Sequence, residues 1–200
     1  MNNTESMRIL SDCCDELNEI KEIISGFDRG NKAVDYINKY AIIRATGSIE
    51  FAFKKIIADK VEDGCHDQIK NFIKRKIRES AHNPKLGTIE NVLTDFDPKW
   101  QKKFNEKISL ENKFALDESL TKLVTERNSF AHGRDAHIGI DEIIENYKNG
   151  QRVITILDET VHFSYDETEP KEGLTQTKTT RRSIRRRRKK KRKNSIKNQH

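Results

Sequence analysis

The stretch VTERNSFAHG, Val124 to Gly133, concentrates residue types that reactions at phosphates need. A guanidinium at Arg127 can neutralise crowded phosphate oxygens. An imidazole at His132 can move a proton near neutral pH, and a carboxamide at Asn128 can orient either group. On a helix, Asn128 and His132 lie four residues apart on one face, whereas Arg127 and His132 diverge by about 140°. One copy of this helix therefore does not bring the two groups together. Spacing alone favours an arginine in a surface ion pair with a histidine capping the helix C-terminus, where Gly133 supplies a left-handed turn.

Other candidate chemistry is weaker. His132, Asp135, His137 and Asp141 are ligand types without a defined spacing, so no metal is expected. His66, His82, His162 and His200 sit in polar contexts and read as surface residues. Cys13, Cys14 and Cys65 fit neither a disulfide framework nor a C-x-x-C zinc site and read as core thiols.

The elements that must position the motif follow from apolar spacing. Leu10, Cys13, Cys14, Leu17, Ile20 and Ile24 mark a first helix, with Asn3 and Thr4 as candidate N-caps and Gly26 beyond its end. The turn Phe27 to Asn31 opens a second helix from Val34 to about Ile57. A third, His66 to Ser80, turns Ile69, Phe72, Ile73 and Ile77 inward; its basic outer face is either solvated or in contact with phosphates. Pro84 and Gly87 make His82 to Gly87 a connector, Thr88 caps a short helix to Phe96, and Asp97 with Pro98 starts another. Ser109 caps a long helix that carries Phe114 among its apolar residues and the motif at its end. Asp141 caps a last helix that Gly150 ends or weakens, and Val153, Leu157 and Val161 continue at helical spacing. The body is all-α, with about five to seven helices.

The two ends of the chain differ in charge. Residues 171–200 hold 14 Lys/Arg against one acidic residue, whereas residues 1–170 hold 25 against 31. The expected organisation is a helical domain over 1–168 and a disordered Lys/Arg-rich tail over 169–200. Arg186, Arg187 and Lys190 in that tail are candidate phosphate contacts, for tethering to RNA or the ribosome. A solvated tail or a nuclear-targeting signal fits its composition as well. No apolar run approaches the 18 residues of a membrane span, so a soluble, cytoplasmic protein with no membrane association is expected.

RNSFAHG, Arg127 to Gly133, resembles the R-N-x-x-A-H-G signature of the HEPN superfamily, the R-x4-6-H helical domains that include many prokaryotic ribonucleases of toxin and antiphage systems. The form is similar to the RiboL-PSP branch. Tyr40 to Phe53, with Arg44, Gly47 and Glu50 in polar positions, resembles that group's second helix, and Ile89 to Phe104 its usual insert, so the likeness spans Val34 to Leu157. The resemblance implies an antiparallel helical bundle that forms a homodimer, in which Arg127 and His132 of both copies converge on one phosphate. It implies a metal-independent, cofactor-free endoribonuclease in which the substrate's 2′-OH attacks to leave a 2′,3′-cyclic phosphate. Arg127 stabilises charge, His132 moves the proton, Asn128 orients, Glu50 holds Arg127 or His132, and Arg44 contacts substrate. Glu50 on an amphipathic helix fits a merely solvated role equally well.

A toxin or antiphage effector restrained by an antitoxin or sensor is the implied setting. Members controlled by a nucleotidyltransferase carry a Tyr two residues after the His; here Arg134 stands there, so AMPylation at that position is not expected. The alternatives are a non-catalytic HEPN module binding RNA, nucleotide or a protein, and a basic-tailed assembly protein.

Overall fold

The structure, a computed structural model, describes residues 1–28, 30–133 and 138–163. The described residues fold into helices α1 (Thr4–Ser25), α2 (Lys32–Glu62), α3 (Asp67–Ile73) with a π turn at Lys74–Arg78, α4 (Leu86–Phe96), α5 (Pro98–Ser109), α6 (Lys113–Ala131) and α7 (Ile140–Val161), with no strand among them. The expected all-α bundle is what forms. The expected basic tail lies outside the described residues.

The long helix α2 is the spine, packed on α1, α6 and α7. Glu16 meets Arg44 and Glu5 meets Lys55, so α1 runs antiparallel to α2. The contacts Thr46 to Leu123 and Lys39 to Phe130 set α6 antiparallel to α2 as well. Short connections between consecutive helices favour this arrangement. Phe53, Phe104 and Tyr147 fill the centre, and the Tyr147 hydroxyl donates to the Leu10 carbonyl at 2.9 Å, which satisfies its only polar atom.

Capping explains where helices start, and corrects several expectations. Asn3 caps α1 and Asp97 caps α5, as their side chains allow. Ser109 instead ends α5, and Asn112 caps α6 by accepting from the Ala115 N–H. α4 begins at Leu86, ahead of Thr88, and α7 begins after Gly139, so Asp141 sits in its first turn and pairs with Lys21. Ile73 and Ile77 are buried as expected, but Ile69, Phe72 and Phe114 are exposed. α3 is only seven residues long, too short for its whole apolar set to reach α2. Of the three thiols, Cys13 is buried and Cys14 and Cys65 are half-buried.

Gly150 neither ends nor visibly weakens α7; it lets α2 approach. A Cβ there would lie 2.4 Å from Ile49 Cδ1 and 3.3 Å from Leu120 Cδ2, inside a fully packed core. Gly150→Ala gains helix propensity of about 1 kcal/mol but forces Ile49 to shift, at roughly 1 to 3 kcal/mol. The expected net result is a lower Tm by a few degrees in thermal melts; an unchanged or raised Tm would show that this contact tolerates a methyl.

Candidate active site

The C-terminal turns of α6 carry Arg127, Asn128 and His132. Arg127 is three-quarters buried at its side chain and donates from Nη1 to Glu50 Oε2 at 3.1 Å. Its Nη2 donates to Asn83 Oδ1 and, at 3.4 Å, to Asn128 Oδ1. Among the described residues, those bonds engage three of the five N–H donors of the guanidinium, which leaves two for an anion. Asn128 thus turns its amide to Arg127, and its link to His132 is through the backbone, the His132 N–H donating to the Asn128 carbonyl at 3.1 Å.

His132 ends the helix. Its backbone closes the last turn, and Gly133, at φ +76°, takes the left-handed conformation that a Cβ would resist. The residue is exposed, and its ring has no hydrogen-bond partner among the described residues. Guanidinium and imidazole therefore share a helix end, the first clamped and the second open to solvent. The structural reading of the spacing holds in part: His132 caps the helix, but the ion pair of Arg127 is partly buried and not on the surface.

Glu50 is the hub. Oε1 accepts from Lys54 Nζ at 3.1 Å and from the His82 N–H at 3.2 Å, while Oε2 holds Arg127. Burial alone would raise its carboxyl, but the Lys54 ammonium, the His82 N–H and the Arg127 guanidinium together hold it below the ordinary carboxylate value. One carboxylate against two cations leaves the cluster with a net positive charge, suited to a phosphodiester.

The loop before α4 completes the clamp. The Ser80 carbonyl accepts from Lys54 at 2.8 Å, His82 Nε2 lies 3.1 Å from the Lys76 carbonyl, and the His82 ring sits edge-on to Phe53 at 6.2 Å. Donation to that carbonyl requires a proton on Nε2, which makes Nδ1 the acceptor whenever the ring is neutral. Pro84, buried, anchors the loop behind Asn83. Lys54 and Asn83 were not among the residues singled out by sequence, and His82, expected as a surface residue, is instead half-buried within the clamp. Lys54 carried a signal, its i,i+4 spacing from Glu50; Asn83 carried none, because its partner is 44 positions away.

Arg44 is not brought to this site. It faces α1, where its Nε donates to Glu16 Oε2 at 2.6 Å and Tyr40 donates to the other carboxylate oxygen. Six residues separate it from Glu50, about 120° around the helix. Arg186, Arg187 and Lys190 lie outside the described residues, as do Arg134, Asp135 and His137. No group of three or more His, Cys, Asp or Glu side chains among the described residues is placed to hold a metal ion. No described helix is long and apolar enough to cross a membrane.

The outer face of α2 bears on the same site. Tyr36, Tyr40, Ile43 and Phe51 are all exposed, and with Gly47 they form a stripe about 22 Å long, opposite the buried Ala45, Ile49 and Ala52. A Cβ at Gly47 would meet nothing within 4 Å. Lys39 Nζ lies 5.5 Å from the Tyr36 ring centre and 5.4 Å from that of Phe130, so the stripe joins the motif end of α6. A helix apolar on both faces is normally covered on both.

Comparison with known proteins identifies the family. The family model described as RiboL-PSP-HEPN matches residues 4–162, which adds α1 to the segments whose likeness is visible by eye. No curated protein and no solved structure gives a significant match.

Proposed function

The chain belongs to the RiboL-PSP-HEPN family, and from that premise we propose that it is a metal-independent endoribonuclease acting as a homodimer. The observation that carries the reading is the helix end itself. Among the described residues, Arg127 is fixed by Glu50, Asn83 and Asn128 with donors to spare, and the His132 ring is unengaged. In the proposed reaction the 2′-OH attacks its own phosphorus as the bond to the 5′ oxygen breaks, and a 2′,3′-cyclic phosphate remains. An imidazole takes the 2′-OH proton or protonates the leaving oxygen, and the guanidinium stabilises the crowded equatorial oxygens. DNA, lacking the 2′-OH, is not a substrate.

The dimer supplies what one chain lacks. Arg127 and His132 diverge around α6, and the stripe of α2 beside them is almost uncharged, so a second copy can cover it without like-charge repulsion. Two stripes paired about a two-fold axis would set two motif ends across one cleft. The tail residues Arg186, Arg187 and Lys190 would add sequence-independent affinity for RNA. An unrestrained ribonuclease harms its own cell, so we assign it to the toxin or antiphage class, with a restraining partner other than an AMPylator acting at position 134.

The test is cleavage of single-stranded RNA in EDTA, with the ends read by mass spectrometry. Wild type should leave cyclic phosphates. Ile43→Glu, which puts a charge in the exposed stripe, should sediment as a monomer with unchanged helicity and cleave at least tenfold more slowly. A fully active monomer would remove the composite site, and intact RNA after incubation with wild type would remove the enzyme.

A further inference from the structure

The exposed side of α3 and its π turn holds features that the site above does not use. Between residues 66 and 80 there are five Lys/Arg and two acidic residues, in a body whose first 170 residues are acidic overall. Arg78 is tied to Asp59 and Glu62, and Lys74 reaches Glu79 at 3.6 Å. Lys70, Arg75 and Lys76 are exposed and make no ion pair with a described residue. Among them Phe72 is 59% exposed and Ile69 49% exposed. At helical spacing the neighbours of Phe72 are Ile69 one turn before and Arg75 and Lys76 one turn after. An aromatic ring in solvent, flanked by unpaired cations, is the composition of a base-stacking platform on a phosphate-binding track.

The track leads to the site. The Lys76 carbonyl is held by the His82 ring, the His82 N–H is held by Glu50, and Glu50 holds Arg127. Resting on the ribonuclease reading, we propose that this face binds single-stranded RNA outside the scissile linkage, with a base stacked on Phe72 and phosphates on Arg75 and Lys76. A second copy on this face would oppose like charges, and α3, at seven residues, is short for a membrane-lying helix. A duplex hides its base faces, so the platform selects unpaired RNA.

The experiment compares full-length wild type, Phe72→Ala, Phe72→Tyr and the double variant Arg75→Gln, Lys76→Gln. Substrates are a 12-nucleotide single-stranded RNA and a dinucleotide too short to reach Phe72. Phe72→Ala should raise KM for the 12-mer roughly tenfold to a hundredfold with kcat kept, leave dinucleotide cleavage unchanged, and be rescued by Phe72→Tyr. The double variant should flatten the log–log salt slope of binding by about 1.4. Quenching of 2-aminopurine in the 12-mer, made uncleavable by 2′-deoxy substitution, reads stacking without cleavage. Quenching without turnover would thus preserve the platform while sinking the enzyme. An unchanged KM and unchanged quenching in Phe72→Ala would overturn the platform. So would a changed oligomeric state in that variant, or Phe72-dependent co-sedimentation with anionic vesicles and unaltered RNA binding.

Discussion

Replacing His132 by alanine is expected to slow RNA cleavage by about 10²- to 10⁴-fold, the range of a lost general acid or base, with fold, Tm and dimer intact. The structural half of this expectation follows from exposure. The ring contacts no described residue through a hydrogen bond, and the cap of α6 is built from backbone groups that alanine supplies equally well. The catalytic half follows from the proposed reaction, in which the 2′-OH loses a proton while the 5′ oxygen gains one. Steady-state cleavage and a thermal melt of the same preparation decide the matter. Loss of activity together with a large fall in Tm would make His132 a structural cap, and undiminished cleavage would remove it from the chemistry. His82 then becomes the imidazole to test, because its Nδ1 is free to accept and its backbone already touches Glu50.

What the sequence made legible is local. Asn3 and Asp97 mark helix starts because a short polar side chain beside an apolar run offers the free N–H groups an acceptor. Ser109 and Asn112 are both good caps three residues apart, and the choice between them falls to α5, whose Phe104 and Ile108 are buried and carry that helix through Ser109. Phe72 misleads because periodicity gives the phase of a face but not whether a neighbouring helix reaches it. The doubly apolar α2 shows the same limit: Tyr36, Tyr40 and Ile43 are as apolar as its core positions, yet they point away from the core. In the site, the Glu50–Arg127 pair was one of two readings of a helix glutamate, and only the packing of α6 on α2 selects it. Asn83 and the Ser80 carbonyl enter through a connector whose path no spacing rule supplies.

The second large effect separates stability from catalysis within one ion-pair cluster. Glu50 stands between Lys54 and Arg127, with side-chain exposures of 17%, 14% and 24% respectively. Glu50→Ala strands two partly buried cations and the His82 N–H, and is expected to cost about 2 to 3 kcal/mol, below the 3 to 5 of a fully buried pair. Arg127→Ala leaves Glu50 still neutralised by Lys54 and bonded to His82, so it should cost about 1 kcal/mol or less, yet slow cleavage by about 10²- to 10³-fold through lost charge stabilisation. The pH dependence has a definite sign. A carboxyl held below its ordinary value near 4.5 in the folded state contributes stability that is fully present above that value and disappears as pH falls through the folded one. The Tm gap between wild type and Glu50→Gln should therefore be constant from neutral pH down to about 5.5 and narrow at more acid pH. Melts of both proteins across that range provide the measurement. A gap that is absent at pH 7, or that widens in acid, would mean that Glu50 does not hold the motif arginine through its charge, and the clamp on Arg127 would have to rest on Asn83 and Asn128 alone.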